Sequence, residues 1–348
     1  MPHAKIVGPV AIIVLLLLTL ISTTDNSIMA YEDMEFINGV SFVAPADRFN
    51  IDAFQDVIDI NATWVAVMPY AFANENVPEI QFDLERQWLG ERTEGIIETV
   101  RLARHKNLKI LLKPHVWVRG QGWTGDFVLQ NEIDWKAWEV NYEQYILHFA
   151  SLADSLNIEA FCVGLEYKNA VRERPEFWRK LILKTRKIYK GKITYAANWD
   201  NYQNIPFWDE VDFIGINAYF PLSPEDTPTV SSLIGAWKEK GAGLGDFSRK
   251  HQKPIVFTEY GYRSIDRAAG NQWELELRGK YNGAPNMDVQ INAYTALFES
   301  VWSEPWFGGG FLWKWYPKLP KNSSFANSDY TPQNKPAENV IRNWYKKR

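Results

Sequence analysis

From residue 36 onward, short apolar runs alternate with longer stretches in which apolar residues recur every three or four positions. Eight runs read as strands: Ile37–Val43, Thr63–Met68, Lys109–Pro114, Ala160–Gly164, Lys192–Ala197, Phe213–Ala218, Pro254–Thr258 and Gly310–Trp315. They are rich in β-branched and aromatic residues, and several are apolar almost throughout, as strands buried on both faces are. Between them, Thr93–His105 places Ile96, Ile97, Val100 and Ala103 on one side of a helix. Trp135–Leu156 does the same with Trp138, Tyr142, Tyr145, Phe149 and Leu152, and Glu176–Tyr189 and Val289–Trp302 repeat the theme. This alternation predicts parallel βαβ units. Eight of them in one domain-sized stretch predict a closed (β/α)8 TIM barrel of the α/β class rather than an open sheet. Pro221–Gly245 reads as a loop-rich insertion over the barrel mouth, and Pro317–Pro336 as a long loop before a C-terminal helix, Pro336–Lys346. No internal repeat or interdomain linker is visible, so one domain is expected over residues 33–348.

The first 30 residues follow another pattern. His3 and Lys5 precede an uncharged run, Ile6–Ser22, within which Ile12–Leu18 is wholly aliphatic. A full membrane span wants about 20 apolar residues. The shorter run suits the core of a signal peptide, with an uncleaved membrane anchor as the rival reading. Either takes the protein out of the cytoplasm, as a secreted or periplasmic protein or one held on the outer face of the membrane.

Composition then removes several kinds of chemistry. The net charge of −4 argues against nucleic acid, whose binders usually carry a basic patch or stripe. The single cysteine, Cys162, lies in an apolar run and can make neither an intrachain disulfide nor a thiolate zinc site, so it reads as a buried structural thiol. The five histidines are scattered without ligand spacing. HExxH, EF-hand, Walker A, Gly-rich dinucleotide and G-x-S-x-G motifs are all absent. No metal and no cofactor are expected. The 16 Trp, 16 Tyr and 19 Phe are more informative. Most should fill the core, but a Trp at a strand end offers a flat face of the kind that stacks on a sugar ring.

In this fold the active site lies at the C-terminal ends of the strands. Strand four ends Val163-Gly164-Leu165-Glu166-Tyr167, and strand seven ends Phe257-Thr258-Glu259-Tyr260-Gly261-Tyr262. Each places a Glu where an apolar run stops. Two carboxylates facing each other across a sugar are the minimum equipment for glycoside hydrolysis. Burial among aromatics raises one carboxyl toward the working range of an acid, and a neighbouring charge can hold the other ionised.

The runs VGLEYKNAVRERPEFWRKLI, GKITYAANWDNYQNIPFWDEVDFIGINAYFPLS, KPIVFTEYGYRS and GGFLWKW resemble glycoside hydrolase family 113, known for β-1,4-mannanase activity, over roughly Phe36 to Trp315. The resemblance implies that Glu166 is the acid/base and Glu259 the nucleophile of a retaining enzyme. Two positions depart from the family pattern. Gly164-Leu165-Glu166 stands where Gly-Thr-Glu is expected, and Asn217 stands where the strand-six motif carries Asp. The first leaves the Glu in place. The second alters a candidate substrate contact, so reaction class is better supported than substrate identity.

Other strand ends supply candidate substrate-binding residues. His115 follows Lys113-Pro114 at strand three and can bind a sugar hydroxyl or orient a carboxylate. Asn198 and Trp199 end strand five, and an Asn offers donor and acceptor together, which suits vicinal hydroxyls. Tyr219 ends strand six, where related barrels place a Tyr that bonds the nucleophile. Trp313 and Trp315 end strand eight; alternation turns both the same way, so one can floor the reactive subsite, and the resemblance favours Trp313. The expectation is a monomeric, cofactor-free enzyme acting on β-mannan or a related polysaccharide. The alternatives are another β-hexoside, transfer to a sugar acceptor, or a non-catalytic carbohydrate-binding barrel, which would not need both Glu.

Overall fold

The computed structural model describes Met1 and residues 34–120, 123–271, 285–319 and 327–348. The expected signal or anchor segment, with its run Ile6–Ser22, lies outside the described residues, as does the middle of the 317–336 loop. In chain order the strands are β1 (Ile37–Phe42), β2 (Trp64–Val67), β3 (Tyr70–Asn74), β4 (Gln81–Phe82), β5 (Lys109–Leu112), β6 (His115–Arg119), β7 (Ala160–Leu165), β8 (Lys192–Asn198), β9 (Ile214–Asn217), β10 (Ile255–Tyr260) and β11 (Phe307–Trp315). The helices are α1 (Gln55–Asp59), α2 (Thr93–His105), α3 (Glu132–Ser155), α4 (Lys168–Glu173), α5 (Pro175–Ile188), α6 (Val230–His251), α7 (Met287–Val301) and α8 (Pro336–Tyr345).

Eight strands close into a parallel barrel in the order β1-β11-β10-β9-β8-β7-β5-β2. They are the eight runs singled out from hydrophobic pattern, and the fold is a (β/α)8 barrel. Alternate residues point inward, where Ile37, Trp64, Leu111, Cys162, Val256 and Phe311 belong to one buried cluster. The outward residues join a larger layer shared with the helices, including Val40, Val65, Trp138, Trp178 and Phe298. Cys162 is fully buried, and burial pushes its thiol up to about 11, so it stays a protonated, inert filler.

Three strands were not anticipated. β4, β3 and β6 make a small separate sheet. The chain leaves β2 through Met68-Pro69 and continues as β3, and it leaves β5 through Lys113-Pro114 and continues as β6. Proline donates no ladder bond, which separates each barrel strand from its continuation. The joint is fixed by Tyr145, whose single hydroxyl proton is shared between the carbonyls of His115 (2.8 Å) and Pro69 (3.0 Å), while the His115 N–H donates to Pro69 O at 2.9 Å. This holds His115 at the top of the barrel.

The segment expected as a loop-rich insertion is a correction. Its second half lies in α6, a 22-residue helix capped by the Thr229 side chain accepting from Ser232 N–H. Gly235, Gly241, Gly243 and Gly245 hide it from a propensity reading. Leu233, Trp237 and Leu244 are buried nonetheless, and a Cβ at Gly245 would come within 3.0 Å of the Trp306 ring. Tertiary packing overrides local preference here. In α2 the apolar face is Ile96, Val100 and Ala103, whereas Ile97 is exposed.

Candidate active site

β7 delivers Glu166 to the barrel mouth through an unusual backbone. Glu166 has φ +53°, a left-handed conformation that a non-glycine residue adopts at a cost of about 1 kcal/mol or more. Its N–H donates to Ala196 O of β8 at 2.9 Å, and its carbonyl accepts from Lys168 N–H at 2.7 Å. These bonds hold the strained turn. The Glu166 carboxylate accepts from Trp123 Nε1 at 2.6 Å on Oε2 and from Asn217 Nδ2 at 2.9 Å on Oε1. Burial, then the negative charge of Glu259, pushes the Glu166 carboxyl up from its usual range to about 7. The Trp123 and Asn217 bonds and the Lys113 charge act in the opposite direction but do not cancel this.

Glu259 sits near the end of β10, in register with Asn217 of β9, and is 6% exposed. Its Oε1 accepts from Lys113 Nζ at 2.6 Å and its Oε2 from Tyr219 OH at 2.8 Å. Lys113 is wholly buried and also donates to Thr258 O at 3.1 Å. A buried ammonium needs such an anion; it is a costly residue to bury without one. Asn217 ties Glu166 to the strand that carries Glu259, since its Oδ1 accepts from Thr258 Oγ1 at 2.9 Å while its amide donates to Glu166. Burial, with the Glu259 charge next, holds the Tyr219 hydroxyl far above its ordinary range, so it is a permanent donor.

His115 and Trp313 make the aromatic wall. Their rings stack at 6.1 Å between centroids with 8° between planes, and Tyr70 lies against His115 at 5.0 Å. His115 Nε2 is 3.9 Å from Glu259 Oε1 and has no hydrogen-bond partner among the described residues. Burial and then the Lys113 charge push His115 well below its usual range, so the ring is neutral and its contact with Glu259 is no ion pair. Gly261 lets the chain after Glu259 run under Trp313: a Cβ there would lie 2.3 Å from the Trp313 carbonyl oxygen.

The structure thus gathers Glu166, Glu259, His115, Asn217, Tyr219 and Trp313. Asn198 is level with Asn217 on β8, but its amide donates to Asp200 Oδ1 at 2.9 Å. Trp199 is partly buried and meets Phe220 edge-on at 5.9 Å. Trp315 is a correction: it does not share Trp313's direction and, at 1% exposed within the barrel–helix layer, it cannot touch a substrate. The pairing of β1 with β11 shifts between Val40↔Leu312 and Phe42↔Trp315, so β11 carries one extra residue and the alternation resets. Lys113 and Trp123 were missed. Lys113 had a signal, a cation closing an apolar strand. Trp123, in an irregular segment ahead of α3, had none.

Known proteins give the frame for this geometry. The sequence profile of Glycoside Hydrolase Family 113 matches residues 46–335, most of the chain. The chain belongs to glycoside hydrolase family 113. This glycoside hydrolase is similar to the family 113 β-mannanase AaManA from Alicyclobacillus acidocaldarius, solved in complex with ManMIm. The two are 27% identical with a TM-score of 0.77, over 90% of this chain and 98% of that one. A second solved family 113 β-1,4-mannanase is 28% identical with a TM-score of 0.76, over 90% of this glycosidase and 100% of that chain. A β-glucuronidase from Ruminococcus gnavus shares the fold alone, at 11% identity and a TM-score of 0.59, over 89% of this chain and 50% of that one. No curated protein sequence matches the chain.

Proposed function

We propose that this glycoside hydrolase cleaves β-1,4-mannosidic bonds in mannan-type polysaccharides with retention, Glu166 acting as acid/base and Glu259 as nucleophile. The observation that carries the roles is the contrast between the two carboxyls. Glu166, pushed up to about 7, keeps a proton to give at neutral pH. Glu259 has donors on both oxygens, an ammonium and a hydroxyl, which suit an anion and fix its aim. In the first step Glu259 attacks the anomeric carbon while Glu166 protonates the departing glycosidic oxygen. The bond to the leaving sugar breaks as the glycosyl-enzyme ester forms. In the second step Glu166, now ionised, takes a proton from water, whose oxygen displaces Glu259 and restores the enzyme.

Substrate identity rests on the two β-mannanases to which the chain is similar. Asn198, Trp199, His115, Asn217 and Trp313 are candidate contacts for the sugars. Secretion, or anchoring outside the membrane, rests on the apolar run at Ile6–Ser22. Purified residues 33–348 should release oligosaccharides from β-1,4-mannan or glucomannan in a reducing-sugar assay. Activity confined to xylan or cellulose would remove the mannanase assignment and leave the glycosidase class in place.

A further inference from the structure

The small sheet beside the barrel has two unlike faces. Ala71, Ala73, Val116 and Val118 are buried beneath it, at 6% exposure or less. The opposite face carries three cross-strand rungs: Tyr70 with His115, Phe72 with Trp117, and Asn74 with Arg119. The first rung belongs to the active site, since His115 stacks on Trp313 and lies 3.9 Å from Glu259. The next rung is one strand repeat, about 7 Å, further out. There Trp117 is 56% exposed, although it is the residue type with most to gain from burial. Arg119 lays its guanidinium over Phe72 at 5.1 Å, which leaves the indole of Trp117 uncovered beside it.

We propose that this face, centred on Trp117, is a binding platform for sugars of the same glycan chain that lie beyond those held at the catalytic pair. The inference rests on the glycosidase reading above. Three features favour a glycan over a protein partner. The platform continues the active site along the same two strands. It presents one flat indole rather than a broad apolar patch of several hundred Å2, the usual mark of protein docking. It flanks that indole with the fork of Arg119 and the amide of Asn74, donors suited to sugar hydroxyls. Trp117 therefore acts by stacking on a remote ring and takes no part in bond breaking.

Trp117→Ala tests this, because an exposed side chain on an edge strand can be removed without opening the core. Kinetics on β-1,4-manno-oligosaccharides of increasing length should show kcat/KM within about twofold of the parent for the shortest cleaved substrate. For the hexasaccharide and soluble glucomannan it should fall about tenfold, through KM rather than kcat. Trp117→Phe should recover most of the loss. Equal losses at every length, or none on the polymer, would overturn the platform. Electrophoresis through gels containing soluble glucomannan reads binding without catalysis. Weaker retention of Trp117→Ala supports the platform even if the parent cleaves no mannan. Unchanged retention rejects it even if the parent is an active mannanase.

Discussion

Trp123→Phe isolates the proton affinity of Glu166. The substitution removes one donor and keeps an aromatic ring against Gly125, where the Trp123 ring lies so close that a Cβ would meet it at 2.3 Å. Glu166 stands at about 7 because burial and the Glu259 charge outweigh the bonds from Trp123 and Asn217 and the Lys113 charge. Deleting the 2.6 Å Trp123 bond withdraws one of the effects that favour the ionised form, so the carboxyl must rise. A hydrogen bond to a charged group is worth about 1.5–3 kcal/mol, and about 1.4 kcal/mol corresponds to one pH unit. Glu166 is only partly buried, so water recovers some of the loss and the lower end applies. Glu166 should move to about 8, and its protonated fraction at pH 7 should rise from about one half to about nine-tenths. The protonated form is the working acid, so activity is lost as pH rises through this value. The assay is kcat/KM against pH on a manno-oligosaccharide, which reports the free enzyme. The alkaline limb should lie near pH 7 in the parent and about one unit higher in the variant, with the acid limb unmoved. An alkaline limb that stays put or moves down would refute the reasoning.

Tyr219→Phe removes the 2.8 Å bond to Glu259 and should lower kcat/KM about 10- to 100-fold with little change in thermal midpoint; unchanged kinetics would place Tyr219 outside the machinery. Lys113→Met leaves Glu259 buried without its ammonium, and breaking such a pair from one side costs about 3–5 kcal/mol. Calorimetry should show a midpoint about 5–10 °C lower, partly recovered by adding Glu259→Gln, and an unchanged midpoint would contradict the pairing.

The barrel was legible because its strands are buried on both faces. A run such as Ile193–Ala197 has Thr194 and one Tyr as its only polar groups, and Phe213–Ala218 is apolar but for Asn217 near its end, so neither shows the alternation of a half-exposed strand. The accessory sheet was not, because β3 is short, alternates half-exposed with buried residues, and follows directly on Met68-Pro69. Helix α6 was hidden by glycines that its packing on Trp306 tolerates. At the site, both Glu could be found because an acid ending an apolar strand is conspicuous. Trp123 could not, since nothing local marks a loop indole as the partner of a residue 43 positions away. Trp315 misled for a definable reason: a one-residue shift in β11 pairing reverses every side chain beyond it, and sequence alternation carries no trace of that shift.

The division of labour between the two Glu is tested most directly by the anomeric configuration of azide-rescued product. With Glu166→Ala, an aryl β-mannoside whose phenol leaves without protonation still forms the glycosyl-enzyme, and azide then attacks it without needing a general base. Proton NMR of the product should show the β-glycosyl azide, formed on the face opposite Glu259. The α-azide from this variant would contradict the account, because it would mean that Glu166, not Glu259, is the carboxylate whose place the azide has filled.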